Sequence, residues 1–188
     1  MTDGYSSTQL HMVRTFDGLP QLVIPDGYEL RTLTVGDGAA WTALLDRNGE
    51  LDPWTLERSA PYFAPGSTMV LDGSFFVTRA GEPVATAQLH LHPDDSYAPT
   101  PELGWVAVSP EHQGHGLGYV ACLAVLHQAA AAGHDRIFLK TDDNRLPAIV
   151  TYLRLGFEPW MVDPTAPDRW KAIQRILDSR QDGKGRAG

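Results

Sequence analysis

Apolar and polar positions recur along the chain at spacings that predict a series of short elements. Residues 28–34 alternate as a first strand, and from Asp37 the residues Ala40, Trp41, Leu44 and Leu45 fall at helical spacings until Asn48-Gly49. Pro53 marks the start of a second helical stretch through Trp54, Leu56, Tyr62 and Phe63, which Ala64-Pro65-Gly66 closes. Residues 75–78 and 84–92 favour strands, with Gly81-Glu82-Pro83 as the turn of a hairpin. A polar, proline-rich loop follows to Pro101, carrying Asp94, Asp95 and Tyr97, and part of an acceptor site is expected there.

Residues 102–133 then hold an apolar strand, a proline-containing turn, a glycine-dense loop and a helix ending at Gly133. Residues 136–141 alternate as a strand. Residues 145–155 make a short helix with Pro147 in its first turn and Gly156 just past its end, and residues 157–162 give a final strand. Residues 168–180 suit a surface helix, and the glycine-rich end from Asp182 reads as a mobile tail. Residues 1–26 contain the short apolar pieces Leu10-His11-Met12-Val13 and Leu22-Val23-Ile24 between glycines and prolines. They read as an extended arm available to pack on the domain or on a second copy, which leaves a homodimer open.

In Gln113-Gly114-His115-Gly116-Leu117-Gly118 every second position is glycine. Backbone N–H groups there can approach a bulky anion unobstructed, at the start of a helix, so the loop reads as a phosphate cradle. A Walker loop needs Lys and Ser or Thr after its last glycine, whereas Tyr119 and Val120 follow Gly118. A dinucleotide fingerprint has its first glycine directly after the strand in an early βαβ unit, whereas residues 109–113 intervene here.

The remaining pattern, Val108, Pro110, Gln113, Gly114, Gly116 and Gly118 after a strand, resembles the acyl-CoA pyrophosphate loop of the GNAT superfamily of N-acetyltransferases. Asn144, Ala148 and Tyr152 ahead of Leu155-Gly156-Phe157 resemble its closing motif, although Asn144 lies one residue further from Tyr152 than is usual. The resemblance covers about residues 27–163, with the arm before it and the helix and tail of residues 164–188 after it. It implies an α/β (α+β) domain with a mixed, mostly antiparallel sheet flanked by helices on both sides. It implies acetyl-CoA bound between two splayed central strands and an acetyl group passed directly to an amine.

By the same resemblance, the main chain of Val106, Ala107 and Val108 pairs with the pantetheine and supplies the oxyanion donor. Gln113, Gly114, His115, Gly116, Leu117, Gly118 and Tyr119 hold the pyrophosphate, Asn144 contacts the pantetheine arm, and Tyr152 is the thiolate's partner. Glu102 stands at the general-base position of the lysine-acetylating branch, alternatively a strand-edge carboxylate in solvent. Amide formation asks for such groups independently of any family: a neutral amine, a stabilised oxyanion and a proton for the departing thiolate.

His90 and His92 share one strand face and are readable either as base and acceptor ligands or as solvated hairpin residues. As a metal pair they lack a third ligand beyond Asp94, and no metal is expected. Cys122 sits mid-helix without a base at a helical neighbour spacing, which makes it a core thiol rather than a nucleophile. Trp105 is placed either in core or beside the acyl pocket, where it bears on acyl chain length.

Composition narrows the partners. At 188 residues, 43% apolar and 20% charged, the chain is an ordinary globular domain with a real core. With 23 acidic against 15 basic residues and a net charge of -8, a nucleic-acid partner held by phosphate neutralisation is disfavoured. That field also opposes an anionic CoA ester, leaving its capture to local donors, and suits a cationic amine. A single cysteine, no leader-like N-terminus and no span of bilayer length lead to the expectation of a cytoplasmic protein without a membrane partner. The acceptor amine is left open, and a non-catalytic CoA-binding regulatory module or a transferase using a longer acyl-CoA stand as the alternative readings.

Overall fold

The computed structural model describes residues 9–51, 53–92 and 100–185, with side chains described as far as residue 180. The loop with Asp94, Asp95 and Tyr97 lies outside the described residues. Seven strands form one sheet: β1 (Leu10–Thr15), β2 (Glu29–Thr32), β3 (Met69–Arg79), β4 (Glu82–His90), β5 (Glu102–Val108), β6 (Arg136–Thr141) and β7 (Glu158–Trp160), in the spatial order β2-β3-β4-β5-β6-β1-β7. All neighbours are antiparallel except β5 and β6. The helices are α1 (Gly38–Asn48), α2 (Leu56–Ser59), α3 (Leu117–Ala131), α4 (Leu146–Arg154) and α5 (Ala166–Gly185). Among the described residues no helix is long and apolar enough to cross a membrane.

Strand alternation divides the core into two clusters. Phe76 and Ala107 face Trp41, Leu44 and Leu45 of α1 together with Trp54. Val77, Ala85, Ala87 and Leu103 belong to the larger cluster, with α3, α4 and the Trp170 face of α5. α1 is launched by a tight turn in which both oxygens of Asp37 accept from Arg31 at 2.8 Å and one accepts from Thr34 N at 2.7 Å. The Arg31 guanidinium holds that carboxyl down to about 2. α1 ends at Gly49, whose left-handed backbone matches the break expected at Asn48-Gly49.

The structure departs from expectation at two strands. Residues 10–15, read as part of an arm, are an interior strand, paired to β6 from Leu10↔Thr141 to Thr15↔Arg136 and to β7 through His11↔Trp160. Leu10 and Met12 are fully buried, but His11 and Arg14 are buried as well, so polar residues mask the strand's signature. β3 also begins at Met69, well before residue 75. Asp72-Gly73-Ser74 forms a bulge within it, in which Ser74 Oγ donates to Val70 O at 2.8 Å and accepts from Leu89 N at 3.1 Å.

A second bulge positions the site. β5 changes register against β4 between Thr86 and Gln88, and Trp105 takes a φ of 45°. A tryptophan with positive φ is strained by about 1–3 kcal/mol. Gln88, fully buried, holds the bulge: in the amide orientation that pairs the groups around it, its nitrogen donates to Trp105 O at 2.8 Å and Gly104 O at 3.2 Å, while its oxygen accepts from Trp41 Nε1 at 2.8 Å. β5 and β6 pair only through Glu102↔Phe138 and Leu103↔Leu139 before this bulge, and then part.

Two stability changes are expected. Met12→Ala costs about 2–5 kcal/mol in urea unfolding if β1 is integral to the sheet, whereas Val23→Ala, at a side chain 66% exposed, stays within about 0.5 kcal/mol. Gln88→Leu leaves Trp41 Nε1 and two bulge carbonyls unpaired in the interior and costs on the order of 3 kcal/mol in the same measurement.

Candidate active site

Where β5 and β6 part, a cavity of about 1050 Å³ opens. Val106, Ala107 and Val108 of β5 line one side, and Leu146, Pro147, Thr151 and Tyr152 of α4 line another. Arg145 Nη2 donates to Val106 O at 3.4 Å and Asn48 Nδ2 donates to Val108 O at 2.9 Å. In a strand the N–H and C=O of one residue point to the same side, so the amides of Val106 and Val108 share the direction of these carbonyls, away from β4. A ligand lying along β5 therefore meets a fixed row of donors.

The glycine loop forms the far end of this cavity. Gly114 and Gly116 have φ of 81° and 76°, which a residue with Cβ adopts only under strain. Gly116 caps α3, and the first helical bond is Val120 N to Gly116 O at 3.1 Å. The amides of Leu117, Gly118 and Tyr119 therefore lack intrahelical acceptors and lie at the positive end of a 15-residue helix. Gly118 packs so closely on β5 that a Cβ there would meet Val108 Cγ2 at 3.4 Å.

His115 does not line the cavity. Its ring turns back on the loop, with Nδ1 at 3.1 Å from Gln113 O and 3.3 Å from His112 O. His112 lines the cavity instead, bonded through Nδ1 to Tyr28 OH at 3.1 Å. Positive charge comes from Arg154, stacked 5.5 Å over the Tyr119 ring, and from Arg180 of α5. Sequence reasoning passed over Asn48, His112, Arg145, Arg154 and Arg180. Only His112, next to Gln113, carried any local signal.

Tyr152 lies at the cavity wall with 4% exposure. Burial pushes its phenol well above the ordinary value, with the neighbouring Cys122 and Glu50 adding to the rise and Arg145 opposing it. Cys122 is fully buried, and burial pushes its thiol up as well. That environment keeps it protonated and closed to a substrate, as its mid-helix position suggested.

A second cavity of about 1130 Å³ lies on the other side of the β5 bulge. Glu102 faces it, with Oε2 at 2.9 Å from His92 Nε2 and 3.7 Å from Lys140 Nζ. His90 and His92 stack with centroids 5.9 Å apart, as their shared face required. Burial, then the neighbouring His92, drives His90 down to about 3, so its ring is neutral, with Nδ1 at 3.3 Å from Thr68 Oγ1. Tyr62 and Trp105 line the aromatic side of this cavity, their rings 5.7 Å apart. Asn144, expected beside the pantetheine, is exposed and lines this second cavity rather than the first. Of the lining residues, Glu50 and Arg145 belong to both cavities, so the two meet there.

Residues 40–157 match the model of the acetyltransferase (GNAT) family. A protein of Thermobispora bispora named mycothiol acetyltransferase is 34% identical over 157 residues, covering 77% of this chain and 51% of that protein. One of the same name from Thermomonospora curvata is 34% identical over 155 residues, covering 77% of this chain and 49% of that protein. The chain thus spans about half the length of the curated relatives it matches. Among solved structures, a GCN5-related N-acetyltransferase from Sphaerobacter thermophilus superposes with a TM-score of 0.62 at 21% identity, covering 80% of this chain and 48% of that one. The diaminobutyrate acetyltransferase of Paenibacillus lautus, solved with its substrate and coenzyme A, gives a TM-score of 0.57 at 17% identity, over 68% of this chain and 73% of that one. With the family model matched across most of the chain and relatives above 30% identity, the chain belongs to the GNAT family of acetyltransferases.

Proposed function

We propose that this acetyltransferase binds acetyl-CoA in the cavity between β5 and β6 and passes the acetyl group directly to an amine bound in the second cavity. The observation that carries the reading is the meeting of the two cavities at Glu50 and Arg145, which gives donor and acceptor one place of contact. The pyrophosphate rests on the free amides of residues 117–119 and on Gln113 and Gly114, the pantetheine lies along Val106 to Val108, and a strand amide meets the developing oxyanion. Burial of Cys122 favours a ternary complex over a covalent acyl-enzyme.

In this reading Glu102, with His92 beside it, takes the proton that the ammonium must lose, directly or through water. Tyr152 returns a proton to the departing sulfur. Asn144, placed in the second cavity, serves the acceptor end rather than the pantetheine. The second cavity mixes the acids Glu50, Glu102, Asp142 and Asp143 with the bases Arg58, Lys140, Arg145 and Arg169, which suits a polar acceptor that also carries a cationic amine. The relatives' name puts mycothiol chemistry first among the acceptors to screen.

Calorimetric titration with acetyl-CoA, against CoA and NADH, tests the donor assignment. Gly116→Asp sets a carboxylate at the helix N-terminus and is expected to weaken acetyl-CoA by at least about tenfold, or about 1.4 kcal/mol; equal affinity would remove the glycine loop from the site. Tyr152→Phe is expected to lower kcat by about a hundredfold with unchanged acetyl-CoA affinity. Since burial raises the Tyr152 phenol, it stays protonated as pH rises, so that loss should be constant between about pH 7 and pH 9. An unchanged rate of CoA release from the Phe variant would take Tyr152 out of the mechanism.

A further inference from the structure

Arg145 immediately precedes α4, and Tyr152 follows seven residues later, two turns along the same helix face. The Arg145 side chain is mostly buried, at 16% exposure, and lines both cavities. Its bonding is incomplete. Nη2 reaches Val106 O at 3.4 Å and stands 3.9 Å from the Glu50 carboxylate, while Nε is shut off from solvent without a hydrogen-bond partner among the described residues. A guanidinium offers five N–H donors, and holding part of that fork out of water and unpaired is unfavourable unless a ligand completes it. Among the described residues the one carboxylate paired with it, Glu50, is loosely held and 47% exposed. A buried cation left short of negative charge at the junction of donor and acceptor fits an anion that exists there during the reaction.

We propose that Arg145 is a further catalytic residue of the transfer, whose guanidinium faces the sulfur of the bound thioester and stabilises the thiolate as it leaves. The proposal rests on the acetyl-CoA reading given above. The amine lone pair forms the C–N bond to the acetyl carbon, the carbonyl oxygen takes the charge, and collapse of that oxyanion breaks the C–S bond with both electrons going to sulfur. The amine's surplus proton leaves through the Glu102 side, and the Tyr152 phenol proton neutralises the sulfur. Arg145 carries the sulfur's charge in the interval before that proton arrives, and the phenolate is then reprotonated from solvent. The products are the N-acetyl amide and the free thiol of CoA. The resident thiol Cys122 supports the placement: Arg145 acts on Cys122 and Tyr152 alike in favour of their ionised forms, against the effect of burial. Glu50 acts on Tyr152 in the opposite direction.

The test titrates the thiol of enzyme-bound CoA by thiolate ultraviolet absorbance, as the difference between CoA and desulfo-CoA complexes, so that the protein's own phenols and thiol cancel. In the wild type the bound thiol is expected to ionise at lower pH than free CoA. Arg145→Gln should raise that midpoint by about one unit, a tenfold loss of thiolate stabilisation, and lower kcat about a hundredfold, with desulfo-CoA affinity within about twofold. Arg145→Lys should retain part of the depression. Glu50→Gln, at an exposed side chain, should move the midpoint further down. If Arg145→Gln does not fold, the Lys and Glu50 variants decide by the same shifts. A wild type that binds neither CoA nor desulfo-CoA overturns the acetyl-CoA reading and this proposal with it. CoA binding with one thiol midpoint across wild type and variants overturns the role of Arg145 alone.

Discussion

The parting of β5 and β6 is the constraint on which the rest of this structure depends. Two parallel strands in a closed sheet would satisfy each other's backbone and leave nothing for a ligand. Here they pair only at Glu102↔Phe138 and Leu103↔Leu139, and then the bulge at Gly104-Trp105 turns β5 away. The strained φ of Trp105 persists because Gln88 ties the bulge carbonyls to Trp41 of α1 and to β4. A single buried amide thus links the packing of one helix to the opening of the cavity between β5 and β6. Asn48 and Arg145 complete the arrangement from outside the sheet, taking the Val108 and Val106 carbonyls that no neighbouring strand reaches.

Electrostatics follow from that opening. The chain is acidic overall, so its long-range field opposes any polyanionic ligand. Within the cavity between β5 and β6 the balance reverses, because amides without intrahelical acceptors at the start of α3 and the guanidiniums of Arg154 and Arg180 line it. The charge is local and partly buried, and salt screens such contacts much less than it screens the surface field. The second cavity is different in kind, with acids and bases interleaved and Glu102 lying between His92 and Lys140.

Local sequence carried the fold wherever an element is decided by its own residues. Glycines at 114 and 116 are needed where the backbone turns left-handed, the apolar run from Leu117 makes a helix nearly buried all round, and Leu155-Gly156-Phe157 ends one helix and starts the next strand. β1 escaped because His11 and Arg14 are buried polar residues within it, and the start of β3 escaped because a serine hydroxyl replaces a ladder bond. In β1 burial by neighbouring strands covers residues that the local pattern assigns to solvent, and in β3 the Leu89 amide of β4 donates to the serine hydroxyl.

The same division holds at the site. The sequence by itself determined the left-handed glycine loop, its helix, the strand before it and the tyrosine after it, since each follows from backbone freedom, periodicity or spacing within about fifty residues. Only the tertiary structure decided which side chains meet there. It turned His115 back onto its own loop and brought His112 to the first cavity, put Asn144 in the second, and joined Glu50 from the end of α1 to Arg145 at the start of α4. Those placements depend on how long side chains from distant elements converge once the sheet has closed and α1 and α4 have docked on it. No residue's nearest neighbours in the chain carry that information.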